Sequence, residues 1–242
     1  MGEGSKVLIP LFGVLDITGE VVAMWIIIAV LTVICLIVRS VLRERPGKFQ
    51  NAVEAGVEAL DHFFGDILGT EKSRKYFCFL ASLFIFILFS NYSGLIPGVG
   101  VTDYVKAPTS SFSVTIGLGL VAFVFLQYSG LRCGVKGYFK RFITPMVFML
   151  PLLLLDEIVK PVSLSLRLFG NVFGEETVTD KLYEILPIGA PVIMMVLSVL
   201  FCALQAVVFT MLVSIYLGEA TEIEPAGIPT VDKAKTKKEK SK

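Results

Sequence analysis

The feature that most constrains this chain is a run of 33 residues without a charge, from Ile185 to Leu217. As a helix rising about 1.5 Å per residue, the run would measure roughly 50 Å, whereas the hydrocarbon layer of a bilayer is about 30 Å thick. The run therefore predicts a membrane helix tilted by roughly 40° or more, at or beyond the usual limit. A helix broken after an interfacial first part is the alternative.

Four further apolar runs precede this one. Hydrophobic residues make up 55% of the chain, charged residues only 18%, and the mean hydropathy is +0.77. Soluble domains average about 25% charged residues. The composition therefore excludes a disordered chain, a nucleic-acid-binding protein and a secreted disulfide scaffold, and it predicts an all-α polytopic membrane protein. The four runs are Val21–Val38, Tyr76–Ile96, Ser111–Leu131 and Phe142–Leu155, the last interrupted by two prolines.

The basic residues predict the orientation. Of the 22 Lys and Arg, 17 fall at sites that alternating crossings would place on one side of the membrane. The positive-inside rule puts that side in the cytoplasm, which predicts five crossings with the N-terminus outside and the C-terminus inside. The predicted segments are an external N-terminus (1–20), a first crossing (21–43), an amphipathic surface helix (47–68), a second crossing (74–96), an external loop (97–110), a third crossing (111–131), two tilted helices (142–180 and 187–218) and a cytoplasmic tail (219–242).

The predicted surface helix has apolar residues at three- and four-residue spacing and an acidic opposite face. An acidic face is unusual for anionic lipid, so a protein neighbour is at least as good an interpretation. The chain holds one histidine, His62, and four scattered cysteines, so neither a metal site nor a cofactor is predicted. The apolar positions of the helix are Phe49, Val53, Val57, Leu60, Phe64 and Ile67, and the acidic ones are Glu54, Glu58 and Asp61.

Charged residues are concentrated in one otherwise apolar segment, Pro151–Thr177. An Arg at bilayer depth costs about 2.5–3.5 kcal/mol on insertion scales, so Arg167 is expected to face protein, water or a counter-ion. Small residues let a partner helix come close, so a stripe that mixes them with charges predicts a contact face with a cation at its centre. On a helical wheel drawn at 100° per residue, this stripe comprises Asp156, Lys160, Ser163, Arg167, Gly170, Asn171 and Gly174.

Two purely structural interpretations stay open for these charges. Asp156 and Lys160 are four residues apart and could form a local salt bridge. Arg167 could pair with an internal carboxylate that only holds the fold. However, no acidic residue of the chain occupies the stripe at the depth of Arg167, so a counter-ion from another subunit is the favoured hypothesis. Glu157 and Glu175 lie at about 80° from Arg167 on the wheel, and Glu176 lies on the opposite face.

Polar residues of the last apolar run point to a neighbouring helix. Ser198 and Gln205 are seven residues apart and share a helix face. A glutamine among apolar residues in lipid needs a hydrogen-bonding neighbour. The nearest long helix in the sequence is the one that carries Arg167.

Two segments carry a specific resemblance to a known family. KPVSLSLRLFGNVFGEE (Lys160–Glu176) and LQAVVFTMLVSIYLGEA (Leu204–Ala220) closely resemble subunit a of F-type rotary ATP synthases. The length and the five-crossing layout also agree, so the resemblance covers nearly the whole chain.

The resemblance implies a stator subunit that lies against a rotating ring of c subunits. Two offset aqueous half-channels would lead H⁺ or Na⁺ to and from the ring, and Arg167 would meet the buried carboxylate of each c subunit. A fixed cation favours the ionised carboxylate and repels the transported ion, which blocks leakage between the half-channels. One charge crossing 100 mV is worth about 2.3 kcal/mol, so the ion gradient biases rotation and drives ATP synthesis in the catalytic head. ATP hydrolysis would run the same machine backwards as a pump.

The resemblance also assigns further positions to the ion pathway. Glu176 matches a carboxylate of the outer half-channel, and Asn171 and Gln205 match polar residues that support the arginine. The remaining expected pathway residues are Asn91, Asp156, Glu157, Lys160, Ser163 and Ser198. Implied partners are the c ring, the b subunits of a peripheral stalk, the head indirectly, and membrane lipid, with no nucleic acid.

Two positions depart from the pattern of the family. Ser198 stands where some relatives have a histidine, and Ser110–Ser111 follow Pro108–Thr109 where many have an acidic residue. The outer access route is therefore less determined than the arginine: water held by hydroxyls could substitute, as could a route built for another ion.

Two other functions compete with the rotary hypothesis. A secondary transporter with an intramembrane arginine as substrate site predicts inverted repeats and broken helices, and neither is evident in the sequence. A structural anchor predicts no special need for Arg167. The sequence has no G-x-x-x-x-G-K-[ST] motif, so the chemistry of ATP is expected to belong to other chains. The expected location is a bacterial plasma membrane, because no targeting peptide is evident.

Overall fold

Six α-helices make up most of the described chain. The computed structural model describes residues 7–11, 15–41, 47–95, 108–133, 150–185 and 190–221. The predictions for the external loop up to residue 107, for 142–149 and for the tail from residue 222 lie outside this part. The helices are α1 (Gly19–Val41), α2 (Lys48–Leu68), α3 (Thr70–Ser93), α4 (Phe112–Cys133), α5 (Leu150–Ile185) and α6 (Ala190–Thr221), with a short 3₁₀ turn at Pro108–Ser110.

A small hairpin before α1 departs from the all-α prediction. Strand β1 (Val7–Leu11) pairs antiparallel with β2 (Leu15–Thr18), in a register that sets Ile9 opposite Ile17. β-Branched residues are frequent in both strands and favour extended backbone. The segment is too short to show the periodicity that identifies a helix or a strand, so the sequence prediction treated it only as an external terminus.

Four of the described helices are long and apolar enough to cross a membrane. α5 is the longest helix, at 36 residues, but its charged residues keep it out of this group. α1 exposes most of its apolar surface: Trp25 is 67% exposed, as expected of a helix that faces lipid rather than protein. The four stretches are Val21–Ser40, Thr70–Ser93, Phe112–Cys133 and Ile193–Thr221.

The amphipathic helix predicted at 47–68 is confirmed as α2. It ends at Gly69, whose φ of 81° lies in the left-handed region that glycine enters without steric strain. The chain then turns directly into α3, four residues before the predicted start of the second crossing. Phe64 and Leu68 are buried against the other helices, while Phe49 and Val57 stay exposed. Only the C-terminal half of the apolar stripe is therefore covered by the chain itself.

The core lies where α2, α3, α4, α5 and α6 meet. On α5 it takes Leu164 and Leu168, and on α6 it takes every third or fourth residue, as helix periodicity requires. α4 approaches α5 closely at Gly119, where an added Cβ would clash with the Ser165 Oγ. The α6 members are Ala206, Phe209, Val213 and Leu217.

α5 and α6 form an antiparallel hairpin. Later residues of α5 contact earlier residues of α6: the contacts are Lys160–Glu219, Asn171–Gln205 and Glu175–Cys202. α5 continues as one helix through Pro161. α6 is also continuous over its 32 residues, so the alternative of a broken helix is not found between residues 190 and 221.

Candidate functional site

The centre of the candidate site is an exposed arginine on α5. Leu164 and Leu168 turn one face of the helix into the core, and this leaves Arg167 and Leu166 on the uncovered face. Leu166 is 51% exposed, so the arginine lies beside apolar surface. Arg167 makes no hydrogen bond or ion pair with any described residue. The interpretation that it pairs with an internal carboxylate therefore finds no support in this part of the chain.

Most of the predicted stripe lies on the same uncovered side as Arg167. Asp156, Gly170 and Asn171 are exposed, whereas Ser163 and Gly174 are half-buried. These small or short side chains leave room for a close neighbour, as a contact face requires.

Lys160 does not lie on the exposed stripe. Its side chain is only 10% exposed, and its Nζ lies 2.9 Å from the Glu219 Oε2 at the end of α6. A lysine has four flexible carbons, so its charge can leave the face on which its Cα lies. The wheel locates the Cα and takes no account of this reach.

Three carboxylates and an aromatic ring surround the Lys160 ammonium. Besides Glu219, the carboxylates of Asp156 and Glu157 lie 3.4 Å away, so the predicted local salt bridge with Asp156 is present as one of three contacts. The Tyr216 ring centroid is 5.1 Å from Nζ. The amide of Gln127 on α4 donates to the Glu157 Oε1 at 3.0 Å. We call Gln127, Asp156, Glu157, Lys160 and Glu219 the lysine cluster.

A second cluster of polar residues joins α3, α5 and α6 on the C-terminal side of Arg167 along α5. The Asn171 Nδ2 donates to the Gln205 Oε1, which supplies the neighbour that the sequence predicted for this glutamine. The Asn91 Nδ2 donates to the Cys202 carbonyl at 3.4 Å, and the Cys202 thiol donates to the Glu175 carboxylate at 3.9 Å. We call these five residues the three-helix polar cluster.

Two further predicted residues, Ser198 and Glu176, lie near this cluster in the sequence. Ser198 is buried on α6 and shares the buried face of Gln205, as predicted. Glu176 is half-buried and has an interaction of its own. No group of three or more His, Cys, Asp or Glu in the described part of the chain is arranged to hold a metal ion.

Sequence reasoning missed Gln127, Glu219 and the contact of Glu175 with α6. Glu219 lies near the end of the second resembling segment, in the sequence LGEA, but 59 residues separate it from Lys160. Only the pairing of two antiparallel helices brings such residues together. A signal was nevertheless present in the sequence. If the two resembling segments are assumed to pair as an antiparallel hairpin, the start of the first segment lies beside the end of the second, which places Lys160 near Glu219.

The two clusters lie on opposite sides of Arg167 along α5. Lys160 is seven residues before the arginine, or about 10 Å of helix, and Glu175 is eight residues after it, or about 12 Å. The arrangement thus has polar groups on both sides of a cation that has no partner among the described residues. No polar contact between these residues links one side to the other past Arg167.

Comparison with known proteins gives consistent matches over most of the chain. A family model described as ATP synthase A chain matches residues 21–218. The chain is 38% identical over 206 residues to ATP synthase subunit a of Moorella thermoacetica, which covers 85% of this chain and 91% of that protein. It is 38% identical over 202 residues to ATP synthase subunit a of Oleidesulfovibrio alaskensis, covering 82% and 84% of the two chains. It is 36% identical over 209 residues to the chloroplastic ATP synthase subunit a of Oedogonium cardiacum, covering 84% and 83%. The family match includes Arg167 and the whole three-helix polar cluster, and it ends one residue before Glu219.

Proposed function

The chain belongs to the ATP synthase A chain family, and we propose that it is the stator subunit that carries H⁺ or Na⁺ past the c ring of a rotary ATP synthase. Members of the family are multi-pass membrane subunits of the complex and are not themselves catalytic. Ion flow through this subunit turns the ring, and the peripheral head makes or hydrolyses ATP.

The observation that carries this proposal is Arg167, which is exposed beside apolar surface and makes no ion pair with any described residue. A cation in that position needs an anion from outside the chain, because an uncompensated charge at bilayer depth is unfavourable by several kcal/mol. A carboxylate on a moving c subunit meets the need, since it pairs with the guanidinium in passing and then leaves. The small residues Gly170 and Gly174 on the same helix allow the ring to come close.

Five crossings with the N-terminus outside agree with the helix directions. α5 runs antiparallel to both α4 and α6, so in this proposal it is the fourth of the five crossings despite its charges. At 36 and 32 residues, α5 and α6 measure about 54 and 48 Å, and both must tilt by roughly 50° to fit a 30 Å hydrocarbon layer. A large neighbour such as the c ring holds such oblique helices in place.

The two polar clusters are the two half-channels in this proposal. The positive-inside orientation puts the lysine cluster at the cytoplasmic end of the hairpin and the three-helix polar cluster toward the outside. Glu176, Ser198 and Ser163 add polar groups along the same helices. An ion therefore meets polar groups on each side of Arg167 and crosses between them only on the ring.

The c ring and the b subunits of a peripheral stalk are the expected partners, with the plasma membrane of a bacterium as the location. Mild-detergent purification of the tagged chain, followed by mass spectrometry, tests this directly. A small c-type proteolipid together with head subunits should travel with the chain. Recovery of the chain alone, from membranes in which the complex is otherwise intact, would contradict the proposal.

The function itself is tested by Arg167→Lys in inverted membrane vesicles that hold the assembled complex. Lysine keeps the charge but loses the planar, forked geometry, so ATP-driven ion uptake should fall to background while the subunits still copurify. Arg132→Lys, at the end of α4, is the matched control and should transport normally. Near-normal uptake in Arg167→Lys would favour a structural anchor, and uptake of a small solute without ATP synthase subunits would favour the secondary transporter.

A further inference from the structure

The N-terminal half of α2 carries an apolar face that the described part of the chain leaves largely uncovered. Val57 is 48% exposed and Phe49 is 59% exposed, whereas Phe64, further along the same face, is fully buried. On a helical wheel, Phe49 and Val57 lie within about 60° of Phe64, so the three residues belong to one stripe. The helices that cover this stripe at its C-terminal end therefore stop short of its N-terminal end.

Carboxylates border this uncovered face along one edge. Glu54 and Glu58 lie about 80° and 120° from Phe64 on the same wheel, and both are exposed. The Gln50 amide donates to Glu54 at 2.8 Å, and the His62 Nε2 lies 3.9 Å from the Glu58 Oε1. Neither carboxylate pairs with a lysine or arginine among the described residues. Over its whole length α2 has four carboxylates and a single lysine, so its charge is predominantly negative.

A neighbour that suits this face combines apolar and basic groups. A bilayer surface with anionic lipids meets the apolar requirement, but it repels the carboxylates at the edge of the stripe. A protein segment with apolar residues followed by lysines meets both requirements, because opposite charges also fix its register on the helix.

The sequence that follows α6 has this composition. Beyond Thr221 it contains three β-branched apolar residues, Ile223, Ile228 and Val231, and then a basic stretch, 233–242, with six lysines and one glutamate. Three acidic residues precede the basic stretch, so the charge that complements α2 belongs to 233–242. We call residues 222–242 the lysine-rich tail.

The lysine-rich tail starts near the covered end of α2. Thr221, the last residue of α6, is 7% exposed. Leu217, one turn earlier, belongs to the same buried core as Phe64 and Leu68 of α2. The tail and the uncovered face therefore lie at the same end of the helix bundle, whichever side of the membrane that end faces.

The connection is long enough for the tail to reach this face. Val57 and Glu54 lie seven and ten residues before Phe64, which is about 10 and 15 Å along the helix. Twelve residues lead from Thr221 to Lys233, and they span about 40 Å when extended or about 20 Å as a flexible chain. A tether whose mean length matches the span gives a high effective concentration, so several weak ion pairs suffice to hold the tail.

We propose that the lysine-rich tail docks on the uncovered face of α2, with its apolar residues against Val57 and its lysines against Glu54 and Glu58. The docked tail covers the exposed half of the stripe and neutralises the acidic edge. It also ties the end of α6 to the helix that joins the first two crossings. This contact does not depend on the proposed ion-translocating function.

The test is disulfide cross-linking in membranes that hold the assembled complex, with the four native cysteines replaced by serine. Asn51→Cys lies about 140° from Phe64 on the acidic side of α2, and Thr236→Cys lies among the lysines, so neither change removes a charge. Ala59→Cys, about 140° from Phe64 on the other side, is the matched control, and both helix positions are exposed. Thr236→Cys should cross-link to Asn51→Cys about five times faster than to Ala59→Cys, because docking raises the local concentration on one side only.

Charge reversal separates docking from random collision of a flexible tail. Glu54→Lys together with Glu58→Lys should slow the cross-link at Asn51→Cys about fivefold, because like charges then face each other. Raising the salt from about 0.05 M to about 0.5 M should slow it similarly in the chain with native charges. Replacing three of the tail lysines by glutamate in the reversed chain should restore the fast reaction, which shows that the variant helix is folded.

Three results would overturn the docking. The first is an equal rate at Asn51→Cys and Ala59→Cys, or a rate that charge reversal leaves unchanged. The second is a cross-link that forms in phosphatidylcholine vesicles but is lost in vesicles rich in phosphatidylglycerol, since the tail would then bind anionic lipid instead. The third is a cross-link from Asn51→Cys to another subunit in place of the tail, which would identify a partner chain as the occupant of this face.

Discussion

Removing the ammonium of Lys160 should destabilise the α5–α6 hairpin more than removing any single acidic partner. Lys160→Met keeps the length of the side chain and leaves Glu157, only 14% exposed, without its cation. Stranding one partner of a buried pair typically costs about 3–5 kcal/mol. Gln127 still donates to Glu157 at 3.0 Å, so the expected loss is at the lower end, about 3 kcal/mol.

Glu219→Gln provides the comparison within the same cluster. Glu219 makes the shortest contact with Lys160, but its side chain is 45% exposed, so solvent screens the pair. Exposed ion pairs contribute about 0–1 kcal/mol, and Lys160 keeps two other carboxylates. The structure therefore predicts that the shorter of the two contacts matters less for stability, because burial and not distance decides the result.

The assay is thermal unfolding of the purified complex, followed by the reactivity of the buried Cys202 thiol with the other cysteines replaced by serine. Lys160→Met should lower the midpoint several times more than Glu219→Gln. Adding Glu157→Gln to Lys160→Met should recover most of the loss, since no charge is then stranded. If the double variant is no more stable than Lys160→Met, or if Glu219→Gln has the larger effect, the burial argument is wrong.

Two further predictions concern packing that positions the site. Gly119→Ala should destabilise the chain by about 1–3 kcal/mol, because the new Cβ would clash with the Ser165 Oγ and lie 3.0 Å from the Pro161 carbonyl oxygen. Gly117→Ala is the control, because an added Cβ there has nothing within 4 Å. Equal unfolding midpoints for the two variants would contradict the close approach of α4 and α5. Phe64→Ala should cost about 3–5 kcal/mol because Phe64 is fully buried, whereas Val57→Ala at a 48% exposed position should change the midpoint little.

The sequence predicted the helices well because lipid imposes simple requirements on them. Long uncharged runs mark α1, α3, α4 and α6, and apolar spacing marks α2, since each rule depends only on neighbours along the chain. The β-hairpin at Val7–Leu11 and Leu15–Thr18 was not predicted, because its strands are too short to show such a periodicity.

The candidate site was predictable in its centre but not in its surroundings. Arg167 stands out because a cation between apolar runs demands an explanation from sequence alone. The partners of Lys160 and Glu175 do not, because they lie on another helix and depend on the register of the hairpin. The wheel also fails where a side chain is long: it assigns Lys160 to the exposed stripe, whereas the ammonium reaches back to Glu219.

The arrangement around Arg167 explains how one arginine can serve many passing carboxylates in the proposed mechanism. An internal acid within reach would hold the guanidinium permanently and compete with every c subunit. Two acids of α5, one on each side of the arginine, instead make contacts elsewhere: Glu157 with Lys160 and Gln127, and Glu175 with Cys202. Both clusters also tie α5 to its neighbours, so the helix is held on either side of the arginine. The guanidinium has no partner among the described residues, so a visiting carboxylate meets a cation that is available to pair.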